Sequence, residues 1–169
     1  ADEFYLKYKN NTLKKNELCI TFDDGLKCQI DVAVPVLEKL KIKAFFFINT
    51  CNFSNKPLML EVFRFFRLTY YKNVDKFYED FYLNLDVDEI IVEKFLKTKS
   101  KIAKHWAIKF PFYSYGDIKF RILREFFLTE NSYNQTMLKM FKRKNFNFKK
   151  KLPEIYMNKK DIKKLVKLN

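Results

Sequence analysis

Glycine and proline are scarce in this 169-residue chain, which has two and four of them, and histidine is nearly absent, His105 being the only one. A single histidine rules out a metal site built on a histidine pair from this chain. The three cysteines, Cys19, Cys28 and Cys51, are odd in number and lack the close paired spacing of a zinc site, so they read as free thiols in a reducing compartment. No run approaches the roughly 18 apolar residues of a membrane span. Residues 1–4 have neither the basic end nor the apolar core of a signal peptide. A soluble cytoplasmic protein is expected, and the missing initiator methionine leaves open that the sequence is a piece of a longer one.

Lysine, asparagine, phenylalanine and tyrosine fill the space left by the rare residues. The formal net charge of +14 is spread along the chain and reads as compositional drift rather than as a dedicated nucleic-acid patch. Hydrophobic residues make up 48% and aromatics 18%, which excludes a disordered chain and predicts one domain with a sizeable core.

Residues 17–50 organise the rest. Leu18, Ile20 and Phe22 alternate with Cys19 and Thr21 and stop at Asp23-Asp24-Gly25, the pattern of a short buried strand ending in a turn. Val32, Val36, Leu37 and Leu40 have helical spacing, with Pro35 tolerable in a first turn. The apolar run 44–48 predicts a parallel strand covered on both faces. Together these make a βαβ unit. Ligands collect outside the carboxyl ends of strands in such units, which is where Asp23 and Asp24 project. Adjacent acids there need a cation, a hydrogen-bond network or chemistry to offset their cost. The competing reading is an exposed turn, since Asp-Gly is also a common turn dipeptide.

Thr21-Phe22-Asp23-Asp24-Gly25, a proline-containing helix and then Lys43-Ala44-Phe45-Phe46-Phe47-Ile48 resemble the first motif and second strand of the polysaccharide deacetylase family, the chitooligosaccharide deacetylase-like hydrolases. The resemblance implies that Asp23 is the general base and Asp24 a ligand of a catalytic divalent metal, zinc by expectation. Leu26 stands where the family commonly has proline. The implied fold is α/β: the N-terminal part of a distorted (β/α) barrel with a large helical insertion. As one deacetylase-like domain over 1–169, it would start the barrel in 1–56, carry the insertion in 57–150 and return to the barrel in 151–169. The implied reaction is hydrolysis of an N- or O-acetyl group on a carbohydrate.

Elsewhere, residues 4–8 read as a small strand or an arm. Helices are expected over 58–68, over a segment capped by Asp75 with Phe77, Tyr78, Phe81, Tyr82 and Leu85 on one side, and over 88–104. Asp117 is read as the cap of a helix carrying Ile118, Ile122, Leu123, Phe126 and Phe127, and Tyr133, Met137, Leu138 and Phe141 continue the pattern. Helical spacing makes these aromatics core rather than a sugar-stacking platform. Residues 139–167 hold twelve basic residues against Glu154 and Asp161, read as a solvated face, so nucleic acid is disfavoured as a partner. Asn158 and Asp161 read as a capping pair for a last helix with Ile162, Leu165 and Val166 on its apolar side.

In the resembled family a His-x-x-x-His-type motif completes the metal site, and this sequence has none. The expectation is a chain that holds its metal weakly, takes an acetylated carbohydrate as substrate, needs a downstream segment and is inactive alone. Two other classes stay open. One is a basic helical interaction or nucleic-acid-binding protein, marked by steep salt dependence. The other is a receiver-like phosphoacceptor domain, which would need later strands ending in aspartate and lysine.

Overall fold

Among the described residues, parallel pairing is confined to two three-residue strands, and helices carry nearly everything else. The computed structural model describes residues 1–54 and 56–168. Asn55, in the turn-rich stretch 51–56, and Asn169, the end of the expected 1–169 domain, lie outside the described residues. In chain order the elements are α1 (Asp2–Lys9), β1 (Ile20–Phe22), a π-helical turn (Gln29–Ala33), α2 (Val34–Leu40), β2 (Ala44–Phe46), a 3-10 turn (Thr50–Phe53), α3 (Met59–Tyr70), α4 (Val74–Leu83), α5 (Glu89–Thr98), α6 (Ser100–Lys109), α7 (Tyr115–Phe126), α8 (Glu130–Arg143), α9 (Phe148–Ile155) and α10 (Lys159–Leu168).

The chain divides into two units, Ala1–Val62 with Phe148–Asn169, and Phe63–Asn147. In the first, β1 and β2 run parallel with Ile20 opposite Ala44 and Phe22 opposite Phe46. The Phe22 and Phe46 rings stack at 4.9 Å. Ile30, Val34, Met157 and Leu165 form the core, with Phe46, Ile48 and Ile162 packed against it. Pro35 follows the π-helical turn Gln29–Ala33, inside continuous helical backbone, and Lys41 ends α2 with a left-handed φ of 55°. The second unit is an aromatic-rich helical core around Phe66, Phe77, Phe81, Phe120 and Phe141. Its rings meet edge-on, Phe66–Phe141 at 4.7 Å and Phe81–Phe120 at 4.9 Å among them. Gly116, on α7, is there for space: a Cβ would come within 2.8 Å of the buried Tyr78 ring.

The α/β barrel assignment is corrected by this architecture: the chain is mostly helical, with only two short strands among the described residues. A barrel closes by adding strands until no edge is left, yet beyond residue 58 the apolar residues recur at helical spacing, and side-chain caps at Asn73, Asp88, Ser114 and Thr129 start successive helices.

Several local expectations change as well. Residues 4–8 belong to α1, whose first turn carries Asp2 and Glu3 and whose last carries Lys7 and Lys9, each favourable to the helix dipole. β1 is not buried, since Ile20 is 39% exposed. Phe47 is 57% exposed, so the run 44–48 is not covered on both faces. The span 88–104 is two helices rather than one, with Asp88 capping α5 through the Ile90 N–H. Asp75 and Asp117 are not caps; Asn73 accepts from the Asp75 N–H and Ser114 from the Asp117 N–H. The capping pair Asn158 and Asp161 forms as expected, Asn158 accepting from the Asp161 N–H at 3.1 Å and donating its own N–H to the Asp161 carboxylate at 2.9 Å.

Candidate functional site

β1 ends at Phe22, and its carbonyl accepts from the Phe47 N–H at 2.7 Å, which carries the parallel ladder up to the acidic pair. Asp23 follows, exposed, and Asp24 is half-buried. The backbone then turns through two left-handed residues, Asp24 at φ 70° and Gly25 at φ 66°. Asp and Gly are the residues that tolerate this region. Gly25 is also packed: a Cβ would lie 3.3 Å from both the Cδ1 and Cγ2 of Ile48.

Three contacts fix the turn. The buried Gln29 side chain clamps it from one side, its amide nitrogen donating to the Asp23 carbonyl at 2.6 Å and its oxygen accepting from the Leu26 N–H at 3.1 Å. The Met157 N–H donates to the Gly25 carbonyl at 2.9 Å. Leu26 and Tyr156 form an isolated antiparallel bridge. Lys27 ties the segment to α10, reaching Asp161 at 3.0 Å and Asp31 at 3.2 Å. Its ammonium is held above the ordinary lysine range by Asp161 first, against the opposing effect of burial, with Asp31 adding to it. All these bonds use backbone or neighbouring side chains. Among the described residues, neither the Asp23 nor the Asp24 carboxylate is engaged by a hydrogen bond or ion pair. The geometry is therefore the turn that Asp-Gly also suggested, with two carboxylates that the turn itself does not use.

The metal implied by the resemblance can be tested on these residues. A catalytic zinc takes three protein ligands and leaves one position open. Among the described residues no group of three or more His, Cys, Asp and Glu comes together. His105 lies on an exposed part of α6 and joins no such group. The residues present do not fit the ion: Asp24 and its neighbour offer carboxylates alone. The three cysteines are free and exposed.

Sequence reasoning found the acidic pair but missed what holds it. Gln29 carries a signal, a polar residue in the apolar phase of a helical segment, beside Ile30. Nothing local marks Met157, which reaches the turn from the far end of the chain. The expected apolar face of α2 is also displaced: Val36 and Leu40 are more than half exposed, as is Val32 before it, while Ile30 and Val34 point inward.

Among the described residues no helix is long and apolar enough to cross a membrane. Neither the curated proteins nor the solved structures include a match to the chain. Residues 10–64 do match a family model, that of polysaccharide deacetylase. The match spans less than half of the chain and includes β1, the acidic turn, α2 and β2. At the family level, this segment is deacetylase-like.

Proposed function

We propose that residues 10–64 are the opening of a carbohydrate deacetylase of the chitooligosaccharide type, in which Asp23 is the proton-accepting base and Asp24 one ligand of a divalent metal. In the net reaction water adds to an acetyl carbonyl, the C–N or C–O bond breaks, and acetate leaves the sugar amine or hydroxyl. Asp23 takes the proton of the attacking water, a task that asks for a carboxylate not already committed to another partner. The single observation that carries this reading is that both carboxylates stand beyond the carboxyl end of β1 without a partner among the described residues. The match of 10–64 to the deacetylase family supports it at the coarser level.

Among the described residues the chain supplies one candidate base and one candidate ligand. The further ligands, a proton donor for the leaving group and a partner that orients Asp23 would come from residues outside this chain, so the chain alone does not turn over substrate. Calorimetric titration with zinc tests the ligand assignment. Binding is expected to be too weak to saturate at micromolar zinc and to vanish in Asp24→Ala. Tight binding that survives the substitution would place the metal elsewhere and remove Asp24 from the proposal.

A further inference from the structure

Between Glu93 and Asp117 the chain has no acidic residue, while Lys94, Lys97, Lys99, Lys101, Lys104 and Lys109 all fall there. The second half of this stretch is α6 and the turn that leads into α7. Lys101, Lys104, His105 and Ile108 are exposed on α6 and are spaced so that they share one face of the helix. The face turned the other way, with Ile102, Ala103 and Trp106, is half-buried, and α6 packs on α7. From the last turn of α6 onward the apolar exposure becomes extreme. Ile108 is 82% exposed, Phe112 76% and Tyr115 75%, all within eight residues.

The turn is braced although its tip is bare. Phe112 lies edge-on to Tyr113 at 4.8 Å, Tyr113 packs on Phe110 at 5.1 Å, and the Arg121 guanidinium covers the Tyr113 ring at 4.1 Å. Ser114 fixes the entry to α7 by accepting from the Asp117 N–H while its hydroxyl donates to Asp75 at 3.0 Å. An isoleucine and a phenylalanine held outward on such a frame leave apolar area in water with no return from the fold.

We propose that the surface formed by Lys101, Lys104, Ile108, Lys109 and Phe112 lies against an anionic lipid bilayer. Ile108 and Phe112 enter the boundary between headgroups and acyl chains, and the three lysines stand over the negative surface. Interfacial helices combine these features, a lysine-rich polar side and large apolar residues that reach a few ångströms into the membrane. The absence of any acid over 94–116 removes the repulsion that would oppose approach to anionic lipid. Phosphate on a nucleic acid would reward the lysines equally but would leave Ile108 in water. The inference rests on the helical unit alone and is independent of the deacetylase reading.

Vesicle flotation of the full chain tests it, with pure phosphatidylcholine compared with phosphatidylcholine mixed with phosphatidylserine. Binding is expected only to the mixed vesicles, weakening as salt is raised. The double variant Ile108→Ser/Phe112→Ser should bind about tenfold more weakly and Lys101→Gln/Lys104→Gln about thirtyfold more weakly. Lys163→Gln/Lys164→Gln, which removes the same charge from exposed positions of α10, should stay within about twofold of the unmodified chain. Far-UV circular dichroism keeps loss of fold apart from loss of binding. Three results would overturn the proposal: no binding to the mixed vesicles, equal loss in the α10 variant, or binding that the Ile108→Ser/Phe112→Ser pair leaves intact, as an adsorbed polyanion-binding surface would show.

Discussion

Gly25 accepts a backbone hydrogen bond from Met157 at 2.9 Å, so the acidic turn after β1 is held by the segment between α9 and α10. The neighbouring Leu26–Tyr156 bridge and the Tyr156 hydroxyl, which donates to the Leu58 carbonyl at 2.6 Å, extend that hold. A turn fixed from both sides, by Gln29 and by Met157, presents Asp23 and Asp24 in one geometry instead of many.

Gly25→Ala is expected to destabilise the protein. The left-handed φ of 66° costs an L-residue roughly 1–2 kcal/mol. The new methyl would also press on Ile48 at 3.3 Å. The reduced chain entropy of alanine recovers less than 1 kcal/mol, about 0.4 at the low end, so the loss wins. Urea unfolding of the two proteins measures it, and an unchanged midpoint would mean that the turn is not held as described.

The second expectation concerns acid. Burial acts to raise the Asp161 carboxyl, but the Asn158 N–H and the Lys27 ammonium outweigh it and hold the group below its ordinary value. A carboxyl that is more acidic folded than unfolded adds stability above its unfolded pKa of about 3.9, and that contribution is lost as pH falls through the folded value. The midpoint should therefore fall as pH drops below about 4 and on through the folded value. Asp161→Asn should be less stable at neutral pH and flatter through this range. A variant as acid-sensitive as the unmodified chain would assign the effect to other carboxylates.

Which parts of this were legible in the sequence follows from how local their causes are. The alternation over 18–22, the apolar run over 44–48 and the Asp-Asp-Gly stop between them give a parallel strand pair with the acids beyond its carboxyl end, because strand and turn preferences act over a few residues. Asn158 with Asp161 was legible for the same reason. The face of α2 was not, since the chain enters that helix through a π-helical turn that shifts the helical phase and turns Ile30 and Val34 inward in place of Val32 and Val36. At α4 and α7 the first-turn acids Asp75 and Asp117 resemble caps by residue type, whereas the caps are Asn73 and Ser114, which stand before them. The alternation over 18–22 marks β1 as a strand but not as a buried one, because a two-stranded sheet has too few neighbours to cover it. The contact from Met157 depends on residues far apart in the chain, where local preference says nothing.

The most direct test of the central claim is acetate release from an N-acetylated chitooligosaccharide by the purified 169-residue chain with zinc present. No release above that of Asp23→Asn is expected, because the described residues bring together no group of three ligands that would hold a metal at Asp24. Release that is abolished by Asp23→Asn and by a chelator would contradict the account and mean that this chain completes its own site.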